Sequence, residues 1–176
     1  MYIDSILVRA VGLVLAWIMG TAGLHKLRHP RHYAALIGAY RLLPQQVAFP
    51  ATLLLGMAEV ASAVLIGSVP CLIAGPVAVI GLLCLYCGAI GVNLMRGRGD
   101  IDCGCSGTLR ARPIAPWMLL RNAVLILLGA WLGFRGVGCT AGWDEWLAAA
   151  AIAAIGVLLY NALDVLMARD SLLEDD

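Results

Sequence analysis

Five apolar runs, at about residues 5–24, 47–69, 71–95, 116–134 and 145–167, dominate the chain. Each is close to the roughly 20 residues that a helix needs to cross a bilayer. Lipid offers no hydrogen bonds to a free backbone, so runs of this length must be helical and pack together, with their polar connections outside. The predicted fold is all-α, a polytopic membrane helical bundle forming a single domain over residues 1–176. Composition agrees: 62% of the residues are apolar and 13% charged, and the mean hydropathy is +0.91, far from the balance of a soluble domain. A net charge of +1 supplies no basic surface for nucleic acid. The first run starts almost at Met1 and has no Ala-x-Ala site, so it reads as a retained helix rather than a signal peptide.

The connections are unequal in length. Between Lys26 and Gln46, Tyr33, Leu36, Ile37, Tyr40 and Leu43 recur at helical spacing with Arg and His among them. That pattern predicts an amphipathic helix at the interface or folded over the bundle, with Pro44 and Pro50 bounding its end. Spans two and three are joined through only Ser68, Val69 and Pro70, which predicts an antiparallel hairpin. Trp117, Trp143 and Trp146 stand at span ends, as an aromatic belt requires.

The loop at 96–115 is the one polar stretch that carries two cysteines, Cys103 and Cys105, separated by a single glycine. Two sulfurs on one short turn can form a strained disulfide, exchange with another thiol pair or clamp a soft metal. Cys84 and Cys87 form a second pair inside the third span. Positions three apart share a helix face, so both sulfurs are expected in one cleft, with Gly81, Gly88 and Gly91 leaving room for a neighbour or a flat ligand. The plainer reading makes them small apolar fillers. Counting from Asn93 at about 1.5 Å per residue puts Cys87 about 9 Å inside the membrane edge that carries the Cys-Gly-Cys loop.

Glu59 lies deep in span two, where a carboxylate has to be paired, protonated or functional. Its expected partners are Arg121 in span four and Lys26 at the end of span one. It serves either as half of a bundle-locking ion pair or as a proton donor or acceptor beside a redox pair. Asp164 and Arg9 read as snorkelling or paired residues. Cys71 and Cys139 fall at the opposite membrane face, where they either pair with each other or remain structural thiols. His25, His29 and His32 are spaced to share a helix face, which permits a metal, although histidines among interfacial arginines are more simply solvated.

Several of these landmarks, taken in order, resemble the methylamine utilisation protein MauE family within the wider DoxX-like membrane proteins. They are Gly20 through Pro30, Tyr40 through Pro44, Glu59, Asn93 with Arg96 and Gly97, Asp102 through Gly107, and Arg121 with Asn122. The resemblance runs from about Gly20 to Asn122. It implies a four-helix bundle laid out like vitamin K epoxide reductase, here with a fifth span. It also implies a role in maturing disulfide-rich periplasmic proteins, in the type case the methylamine dehydrogenase small subunit, with a thioredoxin-like partner such as MauD. Asn93 and Asp102 enter as supporting residues on these motifs. Family members commonly have Phe where this chain has Ser106. Cys84 and Cys87 stand outside the motifs, so a redox role for them rests on spacing alone.

The reading that joins these features is a membrane thiol:disulfide oxidoreductase. The thioredoxin-like partner exchanges with Cys103 and Cys105, electrons pass to Cys84 and Cys87, and a lipid-soluble quinone beside Glu59 accepts them. Arg96, Arg98, Arg110 and Arg112 favour thiolates in the loop, opposed by Asp100 and Asp102. Work on a periplasmic client requires the loop to face outward from the inner membrane, whereas the cations of loops one and three point to the cytoplasm. Commitment of several of those cations to Glu59, to the Asp residues or to thiolates reconciles the two. In the opposite orientation, Cys71 and Cys139 would face the oxidising side and the chain would carry electrons across the membrane. A different class of function is a soft-metal transporter for copper or mercury, with the four cysteines as successive ligands and no resident metal site expected. A third is a subunit that only anchors its soluble partner.

Overall fold

The computed structural model describes residues 2–68, 72–98, 114–136 and 142–173. Regular structure among them is entirely helical: α1 (Tyr2–Arg28), α2 (Pro30–Ala39), α3 (Gln45–Ser68), α4 (Ala74–Met95), α5 (Pro116–Arg135) and α6 (Trp143–Leu173). All but α2 are long and apolar enough to cross a membrane, so the chain is a multi-pass membrane protein. Helix α1 packs on α3, α3 on α4, α4 on α5, and α5 returns to α1, while α6 lies outside this ring against α1. The outcome is the expected four-helix core with an added fifth spanning helix.

Small residues set the closest approach. A Cβ at Gly23 would fall 2.8 Å from the Gly56 carbonyl oxygen and 2.9 Å from Glu59 Cβ, and one at Gly12 would meet Ile66 at 3.3 Å. Without side chains at these points the α1 and α3 backbones come close enough for extensive dispersion contact, the main attraction left between helices in lipid. Leu15, Ile18 and Met19 of α1 then pack with Ile66, Val79, Leu83, Leu125 and Leu132 from the other three helices of the ring. Helix α6 is attached more lightly. Ala149 is buried against Ile6 and Ala10, but Leu147, Ile155, Leu159 and Leu163 are exposed, as on a helix that faces lipid.

Element boundaries shift in two places that matter for the site. Helix α1 continues past Leu24 to Arg28, which holds Lys26 on a rigid turn. Helix α2 ends at Ala39, and Arg41 takes a positive φ of 50°, which turns the chain. Pro44 precedes α3, but Pro50 lies inside it rather than ending the amphipathic segment. A proline there removes one N–H from the second turn, a loss that membrane helices tolerate. Helix α2 packs on α3 and buries Tyr33, so the amphipathic segment folds over the bundle.

Candidate functional site

The close contact of α1 with α3 brings Lys26 opposite Glu59. Both side chains are buried, Glu59 completely. Lys26 Nζ donates to Glu59 Oε1 at 2.9 Å and to Oε2 at 3.0 Å. The Tyr86 hydroxyl of α4 donates to the same Oε1 at 2.5 Å. The ammonium also lies 5.5 Å from the Tyr33 ring centre and 5.3 Å from that of Tyr86, within cation–π range. Three helices of the ring and α2 thus converge on one compensated charge pair. Its partner is Lys26 and not Arg121, since Arg121 Nη1 bonds Asp164 Oδ1 at 2.9 Å and is held on the α6 side.

Beside this cluster is a cavity of about 490 Å³. Tyr33 and Leu36 of α2 and Tyr40 just after it form one wall, and Leu85, Tyr86 and Ala89 of α4 form another, with Lys26 as the charged group at the lining. Arg98 braces the upper edge: Nη2 donates to the Ala39 carbonyl at 3.0 Å, and Nη1 reaches Asn93 Oδ1 at 3.4 Å. Asn93 itself is buried and donates back to the Ala89 carbonyl at 3.0 Å. Its role is therefore to end α4 and tie it to α2.

Cys84 and Cys87 are free thiols, exposed and half-buried respectively. They share the depth of Glu59, as the neighbouring Tyr86 contact shows, but Cys87 is turned away from the cavity wall. At about 100° per residue, Cys87 falls roughly 160° round α4 from Ala89. Its sulfur lies by Asn122 and Arg121 of α5 and by Cys84. The structure thus brings Glu59 and Lys26 together and keeps Cys87 on the α5 side, with Cys84 exposed one turn before it. Asn122 Nδ2 and Arg121 Nε are buried there without a hydrogen-bond partner among the described residues. Beyond Gly81, Gly88 and Gly91 there is open space.

Cys103, Cys105, Asp102, Ser106, Cys71 and Cys139 lie outside the described residues. By connectivity, residues 99–113 join the end of α4 to the start of α5, at the end of the bundle where α1 finishes and α3 begins. That is the end that holds the cavity. Among the described residues, no group of three His, Cys, Asp or Glu side chains is placed to hold a metal. Arg9 and Asp164 are both paired, Arg9 Nε with Glu145 Oε2 at 3.5 Å and Asp164 with Arg121.

The residue that sequence reasoning missed is Tyr86. A signal for it existed: it sits between the two cysteines at the level of Glu59, and a phenol at that depth needs an acceptor.

Residues 4–135 match the family model described as methylamine utilisation protein MauE. The methylamine utilization protein MauE of Paracoccus denitrificans is 32% identical over 126 residues, covering 72% of this chain and 68% of that protein. Its counterpart in Methylorubrum extorquens is 33% identical over 133 residues, covering 73% and 71%. No solved structure matches. A match over most of the ring, joined to relatives aligned over more than two thirds of their own length, places this chain in the MauE family of methylamine utilisation proteins.

Proposed function

We propose that the chain is a membrane thiol:disulfide oxidoreductase that matures a disulfide-rich periplasmic client such as the methylamine dehydrogenase small subunit. The observation that carries this reading is the Lys26–Glu59–Tyr86 cluster and its apolar cavity, at the bundle end where the Cys103–Cys105 segment is attached. A thioredoxin-like partner, MauD-like in class, takes two electrons and two protons from a pair of client thiols and leaves a disulfide. The partner dithiol is then reoxidised by exchange with a disulfide of Cys103 and Cys105. A lipid-soluble quinone beside Glu59 is the sink for two electrons and two protons, and the residues present fit it: a cavity with mostly apolar walls and Lys26, paired with Glu59, as its charged donor. In this scheme the electrons pass from Cys103 and Cys105 by way of Cys84 and Cys87 of α4. In this reading the loop faces the periplasm from the inner membrane.

The decisive experiment is exchange between the purified protein and its thioredoxin-like partner, followed by trapping of the mixed disulfide. Cys103→Ser/Cys105→Ser is expected to abolish the mixed disulfide, whereas Cys84→Ser/Cys87→Ser should still form it. An exchange rate in the Cys103→Ser/Cys105→Ser protein equal to the unaltered one would end the scheme. Labelling of Cys103 by an impermeant maleimide in intact cells is the expected result for the outward orientation.

A further inference from the structure

The cavity has features that specify its ligand more narrowly than the chemistry above requires. Its volume of about 490 Å³ lies within the span of small-molecule sites, roughly 300–1,000 Å³. Its walls are aliphatic and aromatic, which leaves too few polar partners to hold water well. Gly88 is part of the lining, and at about 1.5 Å per residue it sits about 10 Å inside the Met95 end of α4. Nothing lies within 4 Å of where its Cβ would be, and the lining residues Leu42, Leu43 and Leu85 are exposed. The cavity therefore opens sideways, at hydrocarbon depth, rather than only to water.

The charge state of the wall selects the head of the ligand. An ammonium has three N–H groups, and Glu59 accepts from Lys26 at both oxygens, so one donor remains for an acceptor in the cavity. The pair is already neutral. An anionic head would leave uncompensated charge in a low-dielectric site, and a cationic head would face the ammonium.

Deepening the redox reading, and resting on it only for the identity of the ring, we propose that this cavity binds a lipid-soluble, uncharged ring compound of the quinone class. The ligand enters from the bilayer past Gly88, and a ring oxygen accepts a hydrogen bond from Lys26.

The test is photolabelling of the full chain in lipid nanodiscs with an azido-benzoquinone carrying an isoprenoid tail, competed by the unmodified quinone and mapped by peptide. Label is expected on α2 and on residues 85–92 of α4. Gly88→Leu fills the mouth without meeting a neighbour and should lower competable labelling about tenfold or more, as should Lys26→Met/Glu59→Gln, which removes a charge-assisted bond without leaving a lone buried charge. Gly81→Leu also projects into open space on α4 but lies off the cavity, and should label as the unaltered protein does. Equal labelling of the two glycine variants would mean partition into lipid and overturn the site. Competition by a fatty-acid carboxylate as effective as that by the quinone would overturn the uncharged head. Cys103→Ser/Cys105→Ser is expected to retain full labelling, which separates binding from exchange; loss of label there would place the ring on the cysteine segment and reject the cavity.

Discussion

Of the ion pairs that join spanning helices of this bundle, two do so on contrasting terms. Lys26 and Glu59 connect α1 to α3 within the ring, with side chains 6% and 0% exposed, and Tyr86 adds a third helix to the same carboxylate. Arg121 and Asp164 connect α5 to the outlying α6, with side chains 12% and 10% exposed, backed by Trp117 and Tyr160 rings 5.5 and 6.0 Å from the guanidinium carbon. The inner pair sits where no polar solvent can replace a lost partner, and its lysine also lines the cavity. The outer pair attaches an added helix and leaves the ring intact. The charge pair beside the cavity and the one that holds the fifth span to α5 are thus separate, although either basic residue could have been assigned to Glu59 from its depth alone.

The sharpest way to break this contrast is to remove the cation of each pair. Lys26→Met strands a buried carboxylate and is expected to destabilise the protein by about 3–5 kcal/mol, with most of the loss recovered in Lys26→Met/Glu59→Gln. Thermal loss of the monodisperse detergent-solubilised peak measures it, and a single variant as stable as the double would remove the special status of the inner pair. Closure of α1 on α3 is probed next. Gly23→Ala pushes a methyl into backbone and the Glu59 stem and should cost about 1–3 kcal/mol. Its counterpart on the outer contact is Gly156→Ala, which meets only the end of Val14 at 3.0 Å and should cost less than about 1 kcal/mol, because a side-chain tip yields where a backbone does not. Arg121→Met is the mildest of the charge deletions, at about 1–2 kcal/mol. It should loosen α6, seen as earlier proteolysis near Trp143, while quinone photolabelling stays unchanged. If labelling fell together with α6, the two regions would be coupled after all.

Much of the layout was legible beforehand because it depends on features that run along the chain. Apolar length announces a span, Tyr33, Leu36, Ile37 and Tyr40 announce the overlying helix, and the isolated carboxylate of Glu59 announces a partner. The partner itself was ambiguous. Lys26 and Arg121 both stand near the correct depth, and only the Gly23 contact with Gly56, which presses α1 onto α3, decides between them. The level that Cys84 and Cys87 share with Glu59 could be counted in the same way, but the neighbour that Cys87 faces, Asn122 and Arg121 of α5, could not. Depth follows from counting residues, whereas the side of a helix that faces a given neighbour does not. Helix α4 is apolar all round, so no stripe marks its inward face.

Number and order of the membrane helices and the depth of Glu59 and Lys26 were settled by the sequence itself. Each follows from the bilayer's thickness and the fixed rise of a helix. Rotation of the helices about their axes was settled only by tertiary packing, as where Gly23 and Gly56 meet across α1 and α3. The facing of α4 puts Tyr86 on Glu59 and Cys87 beside α5, and the cavity with Lys26 at its lining lies between α2 and α4. In lipid the packing of one helix surface on another, rather than an apolar face avoiding water, decides which side chains meet.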